Sequence, residues 1–212
     1  MKPVGLLGGS FDPVHDGHLR LAIEVMEGLD LDHVRLVPLN LPNATKLPVA
    51  TGEQRLAMLR AAVAGEPRLV PDDRELRRGG ISYTVETLQS LREELPHQPL
   101  CLILGMDAYR RIGTWHQWQR LLTLSHIVIA ARPGAGLAAA DLPTEFARAE
   151  TADPEMLRRR PCGSVYRQTI QQLDISSTQI RERLRQGLNV RYLLPDAVFD
   201  FIHRHHLYTR PE

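Results

Sequence analysis

Residues 4–19 read Val4-Gly5-Leu6-Leu7-Gly8-Gly9-Ser10-Phe11-Asp12-Pro13-Val14-His15-Asp16-Gly17-His18-Leu19, and the fold is decided here. Val4 to Leu7 is a short apolar run broken by Gly-Gly, which predicts a buried strand ending in a turn. From Gly17 to about Leu29 the apolar residues Leu19, Ala22, Ile23 and Met26 form one stripe, which predicts a helix. The unit is strand, loop, helix. Gly8 and Gly9 carry no Cβ, so a ligand can come close to the backbone. The helix start aims unpaired N–H groups above the strand end, a natural seat for phosphate.

Working outward, short apolar runs alternate with longer amphipathic stretches. That pattern predicts an α/β fold with a mainly parallel sheet. Further strands are expected at Val34–Leu39, Leu100–Leu104 and His126–Ala131, with one or two more between Val165 and Ile175. Helices are expected at Thr51–Ala64, Thr84–Leu95, Ser177–Arg185 and Pro195–His205. Thr51 and Gln54 have the spacing of a capping box. Arg132 to Pro143 is rich in Gly, Ala and Pro and reads as a loop or excursion. The 212 residues read as one domain, 1–212, with room for a small C-terminal subdomain from about 175.

The net charge is +1, so no global field calls for nucleic acid. The run Arg158-Arg159-Arg160 is expected to be a surface helix end or loop. Two cysteines are too few for a disulfide scaffold, and no metal-type cysteine spacing exists. Cys101 sits in an apolar run and reads as core; Cys162 has no evident base beside it. No apolar stretch is long enough to span a bilayer, and the start does not read as a signal peptide. The cytoplasm is the expected compartment.

His15 and His18 flank the helix start. A histidine there is disfavoured as a cation unless an anion is present, and a triphosphate would supply one. Imidazole N–H donors could then steady charge on phosphoryl oxygens as pyrophosphate departs. Taken singly, a Gly-Gly turn is ordinary and two histidines three apart could be surface residues or a weak metal pair. Together, on a strand-to-helix junction, they read as a phosphate site. The loop is neither a Walker loop nor the dinucleotide fingerprint, since both spacings are absent.

A second junction reads Ile175-Ser176-Ser177-Thr178-Gln179-Ile180-Arg181. Ser176 or Ser177 can cap a helix, and Ser177 shares a face with Arg181. In isolation this is an ordinary capped helix. Paired with the first loop over the crevice where strand order reverses, two helix starts would grip one polyphosphate.

These two motifs, Gly8 to His18 and Ile175 to Arg181, resemble those of the bacterial nicotinate-nucleotide adenylyltransferases, members of the nucleotidyltransferase superfamily. Ser82-Tyr83-Thr84, Ile103-Leu104-Gly105 with Asp107, Thr114-Trp115, Arg132-Pro133 and Leu194-Pro195 also match, so the resemblance spans the whole chain. It implies a Rossmann-like sheet and direct transfer of AMP from ATP to the 5′-phosphate of nicotinate mononucleotide, with pyrophosphate leaving. It implies Mg²⁺ carried on the ATP phosphates, with no dedicated protein metal site. His18, His15 and Arg181 would be catalytic. Gly8, Gly9, Ser10, Phe11, Gly105, Asp107, Ile175, Ser177 and Thr178 would hold ATP. Lys46, Tyr83, Thr84 and Trp115 would hold the acceptor. The sequence departs from the family at Leu41-Pro42-Asn43-Ala44-Thr45-Lys46, where a Pro-Pro-His and a basic residue are usual. Transfer to nicotinamide mononucleotide or another phosphate ester, a nucleotide sensor without turnover, and a metal-binding module are the alternative readings.

Overall fold

The computed structural model describes residues 1–43, 46–133 and 143–209. Among the described residues seven strands form one sheet: β1 (Val4–Gly9), β2 (Val34–Pro38), β3 (Leu69–Pro71), β4 (Leu100–Gly105), β5 (His126–Ala131), β6 (Glu150–Thr151) and β7 (Val165–Thr169). The spatial order is β3-β2-β1-β4-β5-β7-β6, and every pairing is parallel. Among the described residues ten α-helices connect and cover it: α1 (Asp16–Gly28), α2 (Gly52–Ala62), α3 (Arg74–Arg78), α4 (Thr84–Glu94), α5 (Met106–Arg110), α6 (Leu121–Leu124), α7 (Thr144–Arg148), α8 (Met156–Arg159), α9 (Ser177–Arg185) and α10 (Asp196–Arg204).

Strand side chains alternate between two cores, as the pleat requires. Leu7, Leu36, Cys101, Ile103, Val128 and Ala130 face one cluster, which α1, α2, α8, α9 and α10 complete. Leu6, Val37, Leu100, Leu102, Leu104, Ile127 and Ile129 face the other, completed by α4, α5, α6 and α7. Both faces are thus covered, which is why the strands read as continuous apolar runs. The C-terminal helices α9 and α10 share the first core with β1 and α1 through Ile180, Leu184, Val198 and Ile202. Burial pushes the Cys101 thiol up to about 12, in keeping with a core residue.

Thr51 caps α2 with a complete capping box. One strand, β7, forms where one or two were expected. The short edge strands β3 and β6 and the short helices α3, α5, α6, α7 and α8 have no sequence period of their own. Of the expected loop Arg132–Pro143, residues 134–142 lie outside the described residues. Arg158 and Arg159 end α8, and Arg158 bonds the Leu29 carbonyl and Asp30, so that run is a helix end.

Strands β2 and β3 lie on one side of β1, and β4 onward lie on the other. Strand order therefore reverses between β1 and β4, and their carboxyl ends, Gly8-Gly9 and Gly105, open a crevice.

Candidate active site

The first loop leaves β1 over Gly8, where an added Cβ would meet nothing within 4 Å, so the backbone faces open space. Phe11 adopts φ +48° and is fully buried, anchoring the turn from beneath. His15 begins α1, and its ring stacks on His18 with centroids 3.7 Å apart and 22° between planes. Phe11 meets His18 edge-on at 5.0 Å. Gly17 makes this packing possible: a methyl there would stand 3.0 Å from His15 Nδ1 and 3.4 Å from the Ile175 carbonyl. Nδ1 of both histidines is buried without a hydrogen-bond partner among the described residues. Burial pushes the His15 imidazole down to about 4. Burial, with His15 next to it, pushes His18 well below the ordinary histidine value. Both rings are neutral near pH 7 and ready to meet an anion.

The second motif closes on the first. Ser176 is the cap of α9, its hydroxyl accepting from the Gln179 N–H at 3.2 Å. That frees Ser177, whose hydroxyl donates to the Pro13 carbonyl at 2.8 Å. Arg181 donates to the Asp12 carbonyl and to the Thr178 hydroxyl, and its guanidinium lies 3.4 Å from the Asp12 carboxylate. Arg181 is only 8 % exposed. It is thus first a strut between the motifs, with part of its five-donor fork left over. Ile175 is half-buried against the first core with its carbonyl toward Gly17, whereas Thr178 is exposed.

Beside the loop lies a cavity of about 500 Å³, between β1, β2, β4 and the start of α4. Tyr83, Thr84 and Trp115, three of the four expected acceptor residues, line it together with Gly8 and Gly9, which were expected to hold ATP. Tyr83 begins α4 with no side-chain cap, so the helix start is open to a ligand. Tyr83 also packs on His116, centroids 4.3 Å apart. Asn43 reaches the cavity, whereas Lys46 is exposed; Ala44 and Thr45 lie outside the described residues. Gly105 caps the short helix α5, and Asp107 in its first turn is 92 % exposed at the crevice rim.

Sequence reasoning missed three groups. Glu75 lines the cavity, accepts from the Thr87 hydroxyl, and has its carboxyl pushed up by burial. Arg55 is buried in α2 and bonds the Ser10 carbonyl at 2.8 Å and the Ala50 carbonyl at 3.2 Å. Tyr208, near the chain end, bonds Asp12. Only Arg55 left a trace in the sequence, as a charge where α2 should be apolar.

A cytidylyltransferase-like family model matches residues 6–183. A protein of Aeromonas salmonicida is 45% identical over 210 residues, covering 97% of each chain. One of Methylococcus capsulatus is 46% identical over 209 residues, covering 98% of this chain and 100% of its own. Each is named "Probable nicotinate-nucleotide adenylyltransferase". The chain belongs to the nicotinate-nucleotide adenylyltransferase family. Solved structures agree in fold. The Plasmodium falciparum nicotinic acid mononucleotide adenylyltransferase complexed with NaAD superposes with TM-score 0.76 at 19% identity, covering 98% of both chains. The same protein complexed with APC gives 0.72 at 18% identity, again covering 98% of both. The two junctions on which the sequence resemblance rests are tied together here by Ser177 and Arg181.

Proposed function

We propose that this chain transfers the AMP of ATP to nicotinate mononucleotide in the cytoplasm, giving nicotinate adenine dinucleotide and pyrophosphate for NAD biosynthesis. The observation that carries the proposal is the union of the two motifs, Ser177 on Pro13 and Arg181 on Asp12, at the sheet's switch point and beside the Trp115 cavity. ATP would lie across the junction, with Gly8, Gly9, Ser10 and Phe11 beneath its phosphates. Ile175, Ser177 and Thr178 would flank them, and Gly105 and Asp107 would take the ribose. The mononucleotide would sit in the cavity, its ring on Trp115 and its nicotinate carboxylate at the open start of α4, with Lys46 as an outlying point charge.

A phosphate oxygen of the acceptor attacks the α-phosphorus of ATP, and the bond to the bridging oxygen of pyrophosphate breaks. No base is needed, because the acceptor phosphate is already anionic. His18 and His15 donate to the phosphoryl oxygens where charge builds up, and the unused N–H groups of Arg181 hold the leaving phosphates. No group of three or more histidine, cysteine or acidic side chains that could hold a metal occurs among the described residues. A Mg²⁺ carried on the ATP phosphates would keep several waters and need few protein ligands. When bound, that ion offsets charge on the departing pyrophosphate.

The test is product mass after incubation with ATP, Mg²⁺ and nicotinate mononucleotide, with nicotinamide mononucleotide in parallel. The dinucleotide of nicotinate should dominate. Binding of ATP with no dinucleotide from either acceptor would leave a sensor, and a faster nicotinamide reaction would reassign the acceptor.

A further inference from the structure

Three acidic side chains are buried among the described residues: Asp12, Asp72 and Glu75. Two of them meet guanidinium groups. Asp12 has Arg181 at 3.4 Å, and Asp72 has Arg35 at 3.0 Å and Arg74 at 2.8 Å. Glu75, in α3 and 7 % exposed, has no ion pair among the described residues; Arg78, on the same helix, pairs with Glu86 at 3.4 Å instead. The partners of Glu75 are hydroxyls: Thr87 donates to its Oε1, and Ser82 lies close by. Burial pushes the Glu75 carboxyl up; Ser82, Thr87 and Arg78 pull the other way without cancelling it, and Asp72 adds to the rise. A buried acid without a counter-ion is costly, and in a cavity wall it points to a ligand. Glu75 and Thr87 both line the cavity of about 500 Å³ that holds Trp115. Thr87 is one turn inside α4, its N–H on the Tyr83 carbonyl at 3.2 Å. Glu75 therefore stands behind the helix start at which the ring substituent of the acceptor is placed.

We propose that Glu75 is a specificity-determining residue that reads the ring substituent of the acceptor: a carboxylate ring enters only with a proton on Glu75, whereas an amide ring enters with Glu75 in either form. The inference takes its ligand and the seat of that ligand from the proposed function. Two ionised carboxylates in one enclosed cavity repel, so one of them takes a proton. The ring carboxylate meets the open N–H groups of α4, which favour its charged form. Glu75 has only hydroxyl partners, so the proton goes to Glu75. Binding of nicotinate mononucleotide then draws a proton from solvent, and binding of the amide does not. The remaining charged groups around Glu75 are few. Asp72 and Arg78 flank it from the turn before α3 and from α3 itself. Arg111 and His116, both exposed, line the cavity from the segment that carries Trp115. The lining residues of β1, β2 and β4 carry no charge. Arg111 stays charged throughout, so His116 is the one other cavity group that titrates near neutrality.

The experiment is calorimetric titration of nicotinate mononucleotide and of nicotinamide mononucleotide into the full chain at pH 6 and pH 8. Both ligands carry the same phosphate, so its own titration cancels in the ratio of their affinities. In the wild type the preference for nicotinate should fall at least about tenfold from pH 6 to pH 8, since one linked proton changes an affinity by up to about tenfold per pH unit. Titrations in two buffers of different ionisation enthalpy should show proton uptake with nicotinate beyond that with nicotinamide. Glu75→Gln keeps an oxygen for the Thr87 hydroxyl and removes the charge; its preference should hold within about twofold between the two pH values, and at pH 8 it should bind nicotinate more tightly than the wild type. His116→Gln should keep the wild-type slope. A wild-type preference that ignores pH would overturn the proposal, and this arm needs no variant. A slope that survives in Glu75→Gln, or vanishes in His116→Gln, would overturn it too. Dinucleotide formation by the wild type, followed in parallel, judges the proposed function separately. Dinucleotide with a flat preference sinks only the role of Glu75; a slope that depends on Glu75, without dinucleotide, sinks only the transfer. Failure of both mononucleotides to bind sinks both.

Discussion

At the scale of single residues, the two stacked histidines set the behaviour of the site. His18 is placed to donate as charge moves onto phosphoryl oxygens, so His18→Ala should lower kcat by at least about a hundredfold. Single-turnover rates at saturating ATP check this, and an undiminished rate would remove the histidine from the mechanism. The same pair makes stability depend on pH. In the fold both imidazoles have values below 6.5, with His15 at about 4. Between those limits the unfolded chain binds more protons than the folded one, so stability falls as pH drops from 6.5 toward 4 and is insensitive to this pair above it. For His15 alone the loss is on the order of 3 kcal/mol across that window. A bound triphosphate favours the protonated rings, so the rise in melting temperature given by ATP should be larger at pH 6 than at pH 8. Thermal scans with and without ATP at the two pH values read this directly; an equal rise at both would show that the rings do not face the phosphates.

At the scale of elements, helix starts govern ligand contact. Ser176 caps α9 and so releases Ser177 to bond Pro13. Ser176→Ala should cost about 1 kcal/mol of stability. Because α9 also carries Arg181, ATP affinity should fall as well. Chemical denaturation with an ATP titration checks both, and a cost in stability with no change in affinity would separate the cap from the site. Sequence logic located this helix, Ser177–Arg185, to the residue, because its cap and its inward residues Ile180 and Leu184 agree. It could not choose between Ser176 and Ser177 as cap, since both are good caps and only the path of the incoming chain decides. Elements such as β6 and α5 are too short to carry a hydrophobic period, so they left no signal.

At the scale of the whole molecule, the reversal of strand order between β1 and β4 makes one crevice with two compartments. The histidine loop and α9 form one side, and the Trp115 cavity forms the other. The compartments should therefore be separable by substitution. Trp115→Ala should raise KM for the mononucleotide about tenfold or more, the scale of losing one stacked ring, and leave KM for ATP nearly unchanged. Steady-state kinetics with each substrate varied in turn checks this, and a loss confined to ATP would mean the cavity holds the adenine side.

The sequence alone determined the parallel α/β class, the strand-loop-helix unit at Gly8 to His18, the second junction at Ile175 to Arg181, and through them the family. Those features are local: apolar period, glycine breaks and cap residues act over a few positions and are written in consecutive letters. Tertiary structure decided which distant groups share a partner. Nothing in the letters pairs Tyr208 with Asp12, 196 residues away, seats Arg55 under Ser10, or puts Glu75 in the cavity wall. Nor could they show that Arg181 spends part of its fork on Asp12, because a buried hydrogen bond between remote segments exists only once the sheet and its helices have brought them together.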